Sequence, residues 1–236
     1  MTSANCYYIH MKAIILAAGE GIRMRPLTVA NPKPLLKVGK QTLLDQLVSN
    51  LPQRVDELII VVGYLADQIK THCGQKFYNR HVRYIHQPVT VKGTFAALKV
   101  CQPLIGKQER FFIFYADDLI DGESLRQCLR YRRAVVAAKV NNPERFGVIQ
   151  LKPNGKLLRI IEKPKDPPTN LVLTNSMFLD YRIFDYYPGK ANNGEEYLSL
   201  AIERMAQDCS VQVVLTQKWI PIGYPEDLKR AELLLK

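Results

Sequence analysis

Short apolar runs alternate with amphipathic stretches through the first half of this chain, and the pattern changes character near residue 120. Lys12-Ala-Ile-Ile-Leu16 is an almost unbroken apolar run, as a parallel strand buried on both faces requires. Leucines 43, 44, 47 and 51 recur at helical spacing over residues 41–51, just ahead of Pro52, which cannot continue a helix. Residues 57–62 read as a second strand, 63–73 as a helix, 81–86 as a strand, 94–104 as a helix and 110–115 as a fourth strand. Such alternation predicts an α/β domain whose sheet is mixed but mainly parallel, with helices on both faces and right-handed crossovers.

The second half reads differently. Residues 134–140, 146–151, 157–161 and 171–180 look like strands parted by Asn, Pro and Gly turns, and Asn154-Gly155 predicts a hairpin. Residues 195–207 then read as a helix, 211–216 as a strand and 225–235 as a closing helix with Leu228, Ala231 and Leu235 inward. No internal repeat is visible. A single domain over residues 12–236 is expected, preceded by an N-terminal extension, residues 1–11, that ends at a second methionine, Met11.

Composition narrows the class. A chain of 236 residues, 47% of them apolar, can bury one substantial core. No apolar run reaches the length of a membrane span and no apolar signal region opens the chain, so a cytoplasmic protein without membrane partners is expected. Cysteines 6, 73, 101, 128 and 209 are scattered and form no Cys-x-x-Cys pair, which reads as reduced thiols. His10, His72, His81 and His86 lack metal-ligand spacing, so no zinc site is expected. The net charge of +11 raises nucleic acid as a partner, since a basic surface attracts polyanions. However, the densest cluster, Arg126, Arg130, Arg132 and Arg133 around Tyr131, carries no nucleic-acid motif and reads as a solvated helix face. Nucleic acid is therefore the disfavoured partner.

The first strand runs straight into Leu16-Ala-Ala-Gly-Glu-Gly-Ile-Arg-Met-Arg-Pro-Leu-Thr28, followed by Lys33-Pro-Leu-Leu36. The glycines sit at a strand's C-terminal end, the edge of an open α/β sheet where ligands bind. A backbone without Cβ atoms at Gly19 and Gly21 can bring its N–H groups close to phosphates, and Arg23, Arg25 and Lys33 add cations nearby. A polyphosphate suits such a loop. The dinucleotide fingerprint is excluded because Met24 stands where its third glycine belongs, and the ATPase phosphate loop is excluded because Gly-Lys-Ser/Thr is absent.

The segment resembles the nucleotide-binding signature of sugar-1-phosphate nucleotidyltransferases, Leu-Ala-Ala-Gly-x-Gly-x-Arg-Met-x-Pro-Leu-Thr then Pro-Lys-Pro-Leu-Leu, with every fixed position matched. The resemblance extends from Lys12 to the C-terminus. It implies a Rossmann-like three-layer αβα nucleotide-diphospho-sugar transferase fold, with a nucleotide lobe over residues 12–120 and a sugar lobe over 121–236. It also implies the reaction NTP + sugar 1-phosphate → NDP-sugar + pyrophosphate. Larger members often carry a C-terminal β-helix of hexapeptide repeats, and a fused acyltransferase of that kind is not expected in this chain.

Candidate site residues follow. Phe111-Phe-Ile-Phe-Tyr-Ala-Asp-Asp-Leu-Ile120 puts Asp117 and Asp118 on the same edge as the glycine loop, and a hard carboxylate beside a polyphosphate is what Mg2+ requires. Adjacent strand residues point oppositely and an aspartate can cap a turn, so Asp117 alone is assigned to the metal, with Asp118 as its neighbour. The segment resembles the Asp-Asp-Leu-Ile of UTP–glucose-1-phosphate uridylyltransferases. By the same resemblance Leu16, Ala18, Gly19, Gly21, Gln87, Gly93 and Thr94 hold the nucleotide, and the glutamine amide suits the imide edge of uracil or thymine. Arg23 is assigned to the triphosphate, Lys33 to the reacting phosphates and Lys163 to the sugar phosphate. Gly147, Glu162 and Asn175 are assigned to the sugar, with Met177, in place of a usual glycine, expected to narrow that pocket.

Trp219-Ile-Pro-Ile-Gly-Tyr-Pro-Glu-Asp-Leu228 resembles the closing Trp-x-Asp-x-Gly-Thr-Pro-Glu-Asp-Leu motif, but Pro221 stands where the family has its second metal-binding aspartate. Asp227 does not replace it, because an acidic residue in a helix's first turn is already explained by the helix. UTP or dTTP with a hexose 1-phosphate is the favoured pairing; GTP with mannose 1-phosphate and CTP with another acceptor stay open. A non-catalytic sugar-nucleotide sensor is the alternative, and a homo-oligomer is left open.

Overall fold

The computed structural model describes residues 10–234. Its first half runs β1 (Met11–Leu16), α1 (Leu27–Ala30), β2 (Lys37–Val38), β3 (Gln41–Thr42), α2 (Leu43–Ser49), β4 (Val55–Val62), α3 (Ala66–Cys73), β5 (Lys76–Phe77), β6 (Arg80–His86), α4 (Thr94–Lys99) and β7 (Arg110–Tyr115). The second half adds β8 (Asp118–Ile120), α5 (Gly122–Cys128), β9 (Ala134–Lys139), β10 (Gly147–Leu151), β11 (Leu157–Glu162), β12 (Leu171–Asp180), α6 (Leu198–Asp208), β13 (Gln212–Leu215), β14 (Trp219–Pro221) and α7 (Pro225–Leu234).

The main sheet has the order β11-β10-β12-β7-β1-β4-β6-β5, with β9 beside β12 and β13 beside β9. Its centre, β7-β1-β4-β6, is parallel, and the chain reverses direction where β12 lies antiparallel on β7. Successive side chains on a strand face opposite ways, so β1 feeds two cores at once. Ile14 joins Ile59, Ile113, Phe95 and Leu198 on the face covered by α4 and α6. Ala13 and Ile15 join Ile60, Phe112, Leu47 and Leu125 on the face covered by α2, α3 and α5. That double burial is why β1, β4 and β7 read as largely apolar runs, whereas β6 keeps polar residues throughout its length. A smaller core, Met24, Leu36, Leu119, Ile222 and Ala231, packs under α7 and ties the glycine loop to the chain's end.

Helix limits move where local bonds outrank periodicity. α2 starts at Leu43 because Thr42 and Asp45 close a reciprocal capping box. Leu65 is left-handed at φ 49°, so α3 begins only at Ala66. α4 stops at Lys99 and a tighter turn, Gln102–Leu104, follows with Pro103 inside it. α6 begins at Leu198 rather than at residue 195, because the Glu196 backbone bonds Lys92 O and the Phe95 N–H.

Three expectations are corrected. The arginine cluster is not one helix face: Arg126 is on α5 and pairs with Glu123, while Arg133 is buried and, with Arg132, grips Asp180. A buried arginine is held in place by its carboxylate partner, so its charge is already answered. Met177 packs inside the α4/α6-side core and narrows no pocket. Met11 is buried in β1, so the sheet begins one residue earlier than the expected boundary. Residues 1–9 of the expected extension, Cys6 among them, and Leu235 lie outside the described residues. The remaining cysteines, 73, 101, 128 and 209, are free and buried. Among the described residues no helix is long and apolar enough to cross a membrane.

Candidate active site

The glycine loop is shaped mostly by its own backbone. Gly21 adopts φ +62°, and a Cβ there would stand 3.0 Å from Thr28 Cγ2, so both conformation and space call for glycine. The Gly21 carbonyl accepts from the Met24 N–H at 2.8 Å and from Thr28 Oγ1 at 2.8 Å. The Tyr64 hydroxyl donates to Val29 O at 2.9 Å and to Thr28 O at 3.1 Å, and Gln68 Nε2 donates to Ala30 O at 2.8 Å, pinning α1 beneath the loop. Arg23 projects from the short turn Ile22–Met24 and is exposed. Arg25 pairs with Glu20 and lines neither cavity described below.

The carboxylates are held from a distance. The strand expected over residues 110–115 ends at Tyr115, and β8 leaves the main sheet to form a two-stranded ribbon with β14. Asp117 lies at the break. Its Oδ2 accepts from Lys33 Nζ at 2.9 Å and its Oδ1 from Asn175 Nδ2 at 3.3 Å. Asp118 Oδ2 accepts from the same Asn175 nitrogen at 2.7 Å and from Trp219 Nε1 at 2.8 Å. Burial first, and then the Asp117 charge, push the Asp118 carboxyl up to about 7, against the pull of Lys33 and Trp219. Asn175 reaches both acids from an irregular stretch of β12, where the pairing with β9 shifts register between Leu173 and Met177.

Pro221 pairs with Asp118 across the ribbon, so the proline lies next to the acids but brings no side-chain oxygen to the site. Asp227 Oδ2 accepts from the N–H groups of Gly223 at 2.8 Å and Tyr224 at 2.9 Å, which fits its reading as a helix-start residue.

Two cavities meet over these groups. One, of about 970 Å³, is lined by Leu16, Ala18, Gly19, Gly21, Gln87 and Gly93. The other, of about 610 Å³, is lined by Gly147, Glu162, Lys163 and Asn175. Arg23, Lys33, Thr94, Tyr115, Asp117, Glu195 and Gly223 line both, so the two form one cleft with the cations and the Asp117 and Glu195 carboxylates at its waist. Gly93 permits the closure of its wall: at φ +100°, a Cβ would come within 2.3 Å of Glu196 N. Thr94 Oγ1 accepts from the Leu198 N–H at 2.9 Å and joins the two halves above it. Gln87 Nε2 donates to Val91 O at 2.7 Å, which leaves its carbonyl oxygen and one N–H for a ligand. In the smaller cavity Glu162 accepts from Ser199 Oγ at 3.1 Å, and Gly147 opposite leaves the carboxylate room. Asn175, assigned to the sugar, spends its amide nitrogen on the two aspartates and keeps its oxygen free.

Several groups of the cleft went unnoticed in the sequence. Tyr115 stands between the cavities, and its burial raises the hydroxyl above the ordinary tyrosine range. Trp219 is a donor to Asp118 as well as a packing residue, and Arg145 and Lys139 add cations to the smaller cavity. The advance signals were Tyr115 immediately before Ala-Asp-Asp, Arg145 immediately before Phe-Gly and Trp219 at the head of the closing motif. Among the described residues no three His, Cys, Asp or Glu side chains gather into a metal-holding group. The waist can neutralise clustered phosphate charge with cations and offer the partly exposed Asp117 carboxylate to a hard ion.

Residues 12–236 match the nucleotidyl transferase family (NTP_transferase), and the chain belongs to that family. It is 32% identical to the UTP–glucose-1-phosphate uridylyltransferase AglF of Haloferax volcanii, over 96% of this chain and 97% of that one. It is 28% identical to the bifunctional protein GlmU of Methanocaldococcus jannaschii over 95% of this chain but 54% of the relative, so the chain spans about half the length of the bifunctional proteins it matches. Among solved structures, a Bacillus anthracis protein provisionally assigned as a glucose-1-phosphate thymidylyltransferase, crystallised with sucrose, superposes with a TM-score of 0.86 at 25% identity, covering 95% of this chain and 94% of that one. A UDP-glucose pyrophosphorylase complexed with UDP-glucose shares the fold, with a TM-score of 0.84 at 22% identity, covering 96% of this chain and 98% of that one.

Proposed function

We propose that this chain catalyses NTP + sugar 1-phosphate → NDP-sugar + pyrophosphate, with UTP or dTTP and a hexose 1-phosphate as the favoured substrates. The observation that carries the reading is the shared waist: Arg23, Lys33 and Asp117 line both cavities, so ligands in the two would meet at these charges. The likeness to AglF, over nearly the full length of both chains, supports the uridine choice.

In the proposed reaction a phosphate oxygen of the sugar 1-phosphate attacks the α-phosphorus of the NTP, the bond to the β-phosphate oxygen breaks, and pyrophosphate leaves. Such a transfer needs positioning and charge neutralisation more than a protein nucleophile. Gly19 and Gly21 admit the phosphates to the backbone, Arg23 takes the triphosphate and the departing pyrophosphate, and Lys33 serves the reacting phosphates. Lys163, exposed at the rim of the smaller cavity, holds the sugar phosphate while Glu162 accepts from sugar hydroxyls.

A divalent ion fits the donor set through Asp117, whose carboxylate is 30% exposed in the cleft, with phosphate oxygens and water completing the shell as Mg2+ accepts. When bound, Mg2+ would neutralise phosphate charge. Asp118 is nearly buried and already bonded to Trp219 and Asn175, which makes it a support for Asp117.

The test is pyrophosphate release from each NTP with Mg2+ and a set of sugar 1-phosphates. Release with one pair is expected. Saturable NTP binding without release would instead support the sensor reading, which the replacement of an acid by Pro221 favours.

A further inference from the structure

The two halves of the cleft each put forward one guanidinium, and both face the same aromatic ring. Arg23 Cζ, from the glycine loop, lies 5.6 Å from the centroid of Tyr224, and Arg145 Cζ, from the short turn Pro143–Arg145, lies 5.1 Å from it. Both arginines line the smaller cavity with Lys33 and Asp117, and among the described residues neither is in an ion pair. Two like charges gathered with no ion-pair partner repel each other, so something must hold them and something must answer them. The π face of Tyr224 supplies the first, because an aromatic quadrupole attracts a cation over its face. An anion of more than one charge would supply the second, since forked guanidiniums match phosphate oxygens.

Tyr224 is well placed to act as a platform. Its N–H and that of Gly223 are both held by the buried Asp227 carboxylate, and α7 begins at the next residue. The Arg145 turn is docked on the same segment: Phe146 meets Trp219 edge to face at 5.2 Å, and Trp219 is the donor to Asp118. Tyr224 also departs from the closing motif, where a threonine precedes the proline, and it does so three residues after Pro221 replaces an acid. One departure removes a carboxylate from the segment and the other adds a ring that gathers two cations.

We propose that Arg145 is a second arginine of the polyphosphate site, and that Tyr224 is a positioning residue holding Arg23 and Arg145 as a two-guanidinium clamp on the pyrophosphate portion of the nucleotide. The proposal rests on the nucleotidyl transfer reading for its ligand, but its geometry stands on the arginines and the ring.

The experiment is calorimetric titration of the full chain with inorganic pyrophosphate, beside the pyrophosphate-release assay on the same preparations. Arg145→Gln and Tyr224→Leu are each expected to weaken pyrophosphate binding by about tenfold, and the double variant by little more than either, because both break one clamp. Tyr224→Phe, which keeps the π face, is expected to restore affinity to within about twofold of the parent. Arg145 is exposed, so its variant reads the clamp without disturbing the core. Unchanged binding in Arg145→Gln, additive losses in the double variant, or Tyr224→Phe as weak as Tyr224→Leu would each overturn the clamp. If the parent releases pyrophosphate while these variants bind it normally, the clamp falls and the transferase stands. If binding depends on Arg145 and the ring but no NTP and sugar 1-phosphate react, the clamp stands and the transferase falls. A parent that binds no pyrophosphate overturns the clamp, and the release assay then decides the transferase by itself.

Discussion

The glycine loop and the aspartate pair face each other across one cleft, yet they are built in opposite ways. The loop between Gly19 and Lys33 is held largely by bonds to itself, Gly21 O to Met24 N and to Thr28 Oγ1, with Tyr64 and Gln68 clasping its far end. The acids depend on three side chains that are remote in sequence: Lys33, Asn175 and Trp219. A locally bonded loop keeps its shape when one contact is lost, because its neighbours in sequence stay near. A carboxylate pair assembled from distant segments loses a neutralising or donating partner outright, and an uncompensated buried charge is costly. The contrast predicts that the acid side is brittle and the loop side tolerant.

The sharpest way to break the contrast is Lys33→Met, which removes the one cation bonded to Asp117 and leaves the loop glycines untouched. Turnover is expected to fall by about 100-fold or more and the melting temperature to fall with it, because Asp117 and the buried Asp118 lose their neutralising cation, read from pyrophosphate release and thermal unfolding. A fall of only a few-fold would mean that Lys33 is not at the reacting phosphates.

Next in size is a pH effect on the metal-free protein. The folded-state carboxyl of Asp118 is raised towards 7, above its unfolded value, so over roughly pH 4 to 7 the folded state keeps a proton that the unfolded state has lost. Stability should therefore fall as pH rises through that window, by at most about 1.4 kcal/mol per pH unit from this group. Asp118→Asn should flatten the slope in denaturant titrations at a series of pH values; a parent with no slope there would place the acid in an ordinary environment.

Gly21→Ala tests the loop side. Its φ of +62° and the 3.0 Å approach to Thr28 Cγ2 should cost about 1 to 2 kcal/mol of stability by urea unfolding, with weaker nucleotide binding. A neutral alanine would show that the turn relaxes freely. Smallest should be Tyr64→Phe, which deletes the hydroxyl donor to Thr28 O and Val29 O while the loop's own bonds remain. About 1 kcal/mol is expected, with turnover within a few-fold. A loss as large as that of Lys33→Met would erase the distinction between the two sides.

The same division governs what could be read in advance. The central parallel strands were legible because burial on both faces demands apolar residues at successive positions, and Ala13–Leu16, Leu58–Val62 and Phe111–Phe114 meet that demand. The glycine loop was legible because its requirements, glycine at a left-handed turn and cations beside it, lie within one short stretch. The expected nucleotide and sugar residues line the two cavities, though their roles rest on the resemblance. The ribbon of β8 with β14 was not legible, since Asp118–Ile120 is too short to signal a partner and only folding brings Trp219–Pro221 beside it. Arg133 reads as a surface residue until Asp180 is brought beneath it, and Met177 reads as a pocket residue until β12 turns it into the core.

By itself the amino-acid sequence determined the α/β class, the strand order of burial and the phosphate-binding character of the glycine loop, because each follows from neighbours in the chain. Only the tertiary structure decided that Asn175 and Trp219 support Asp118, that Pro221 lies beside the acids, and that Arg23 and Arg145 share the ring of Tyr224. Those are contacts between segments far apart in the chain, and no local pattern specifies a partner that folding alone brings near.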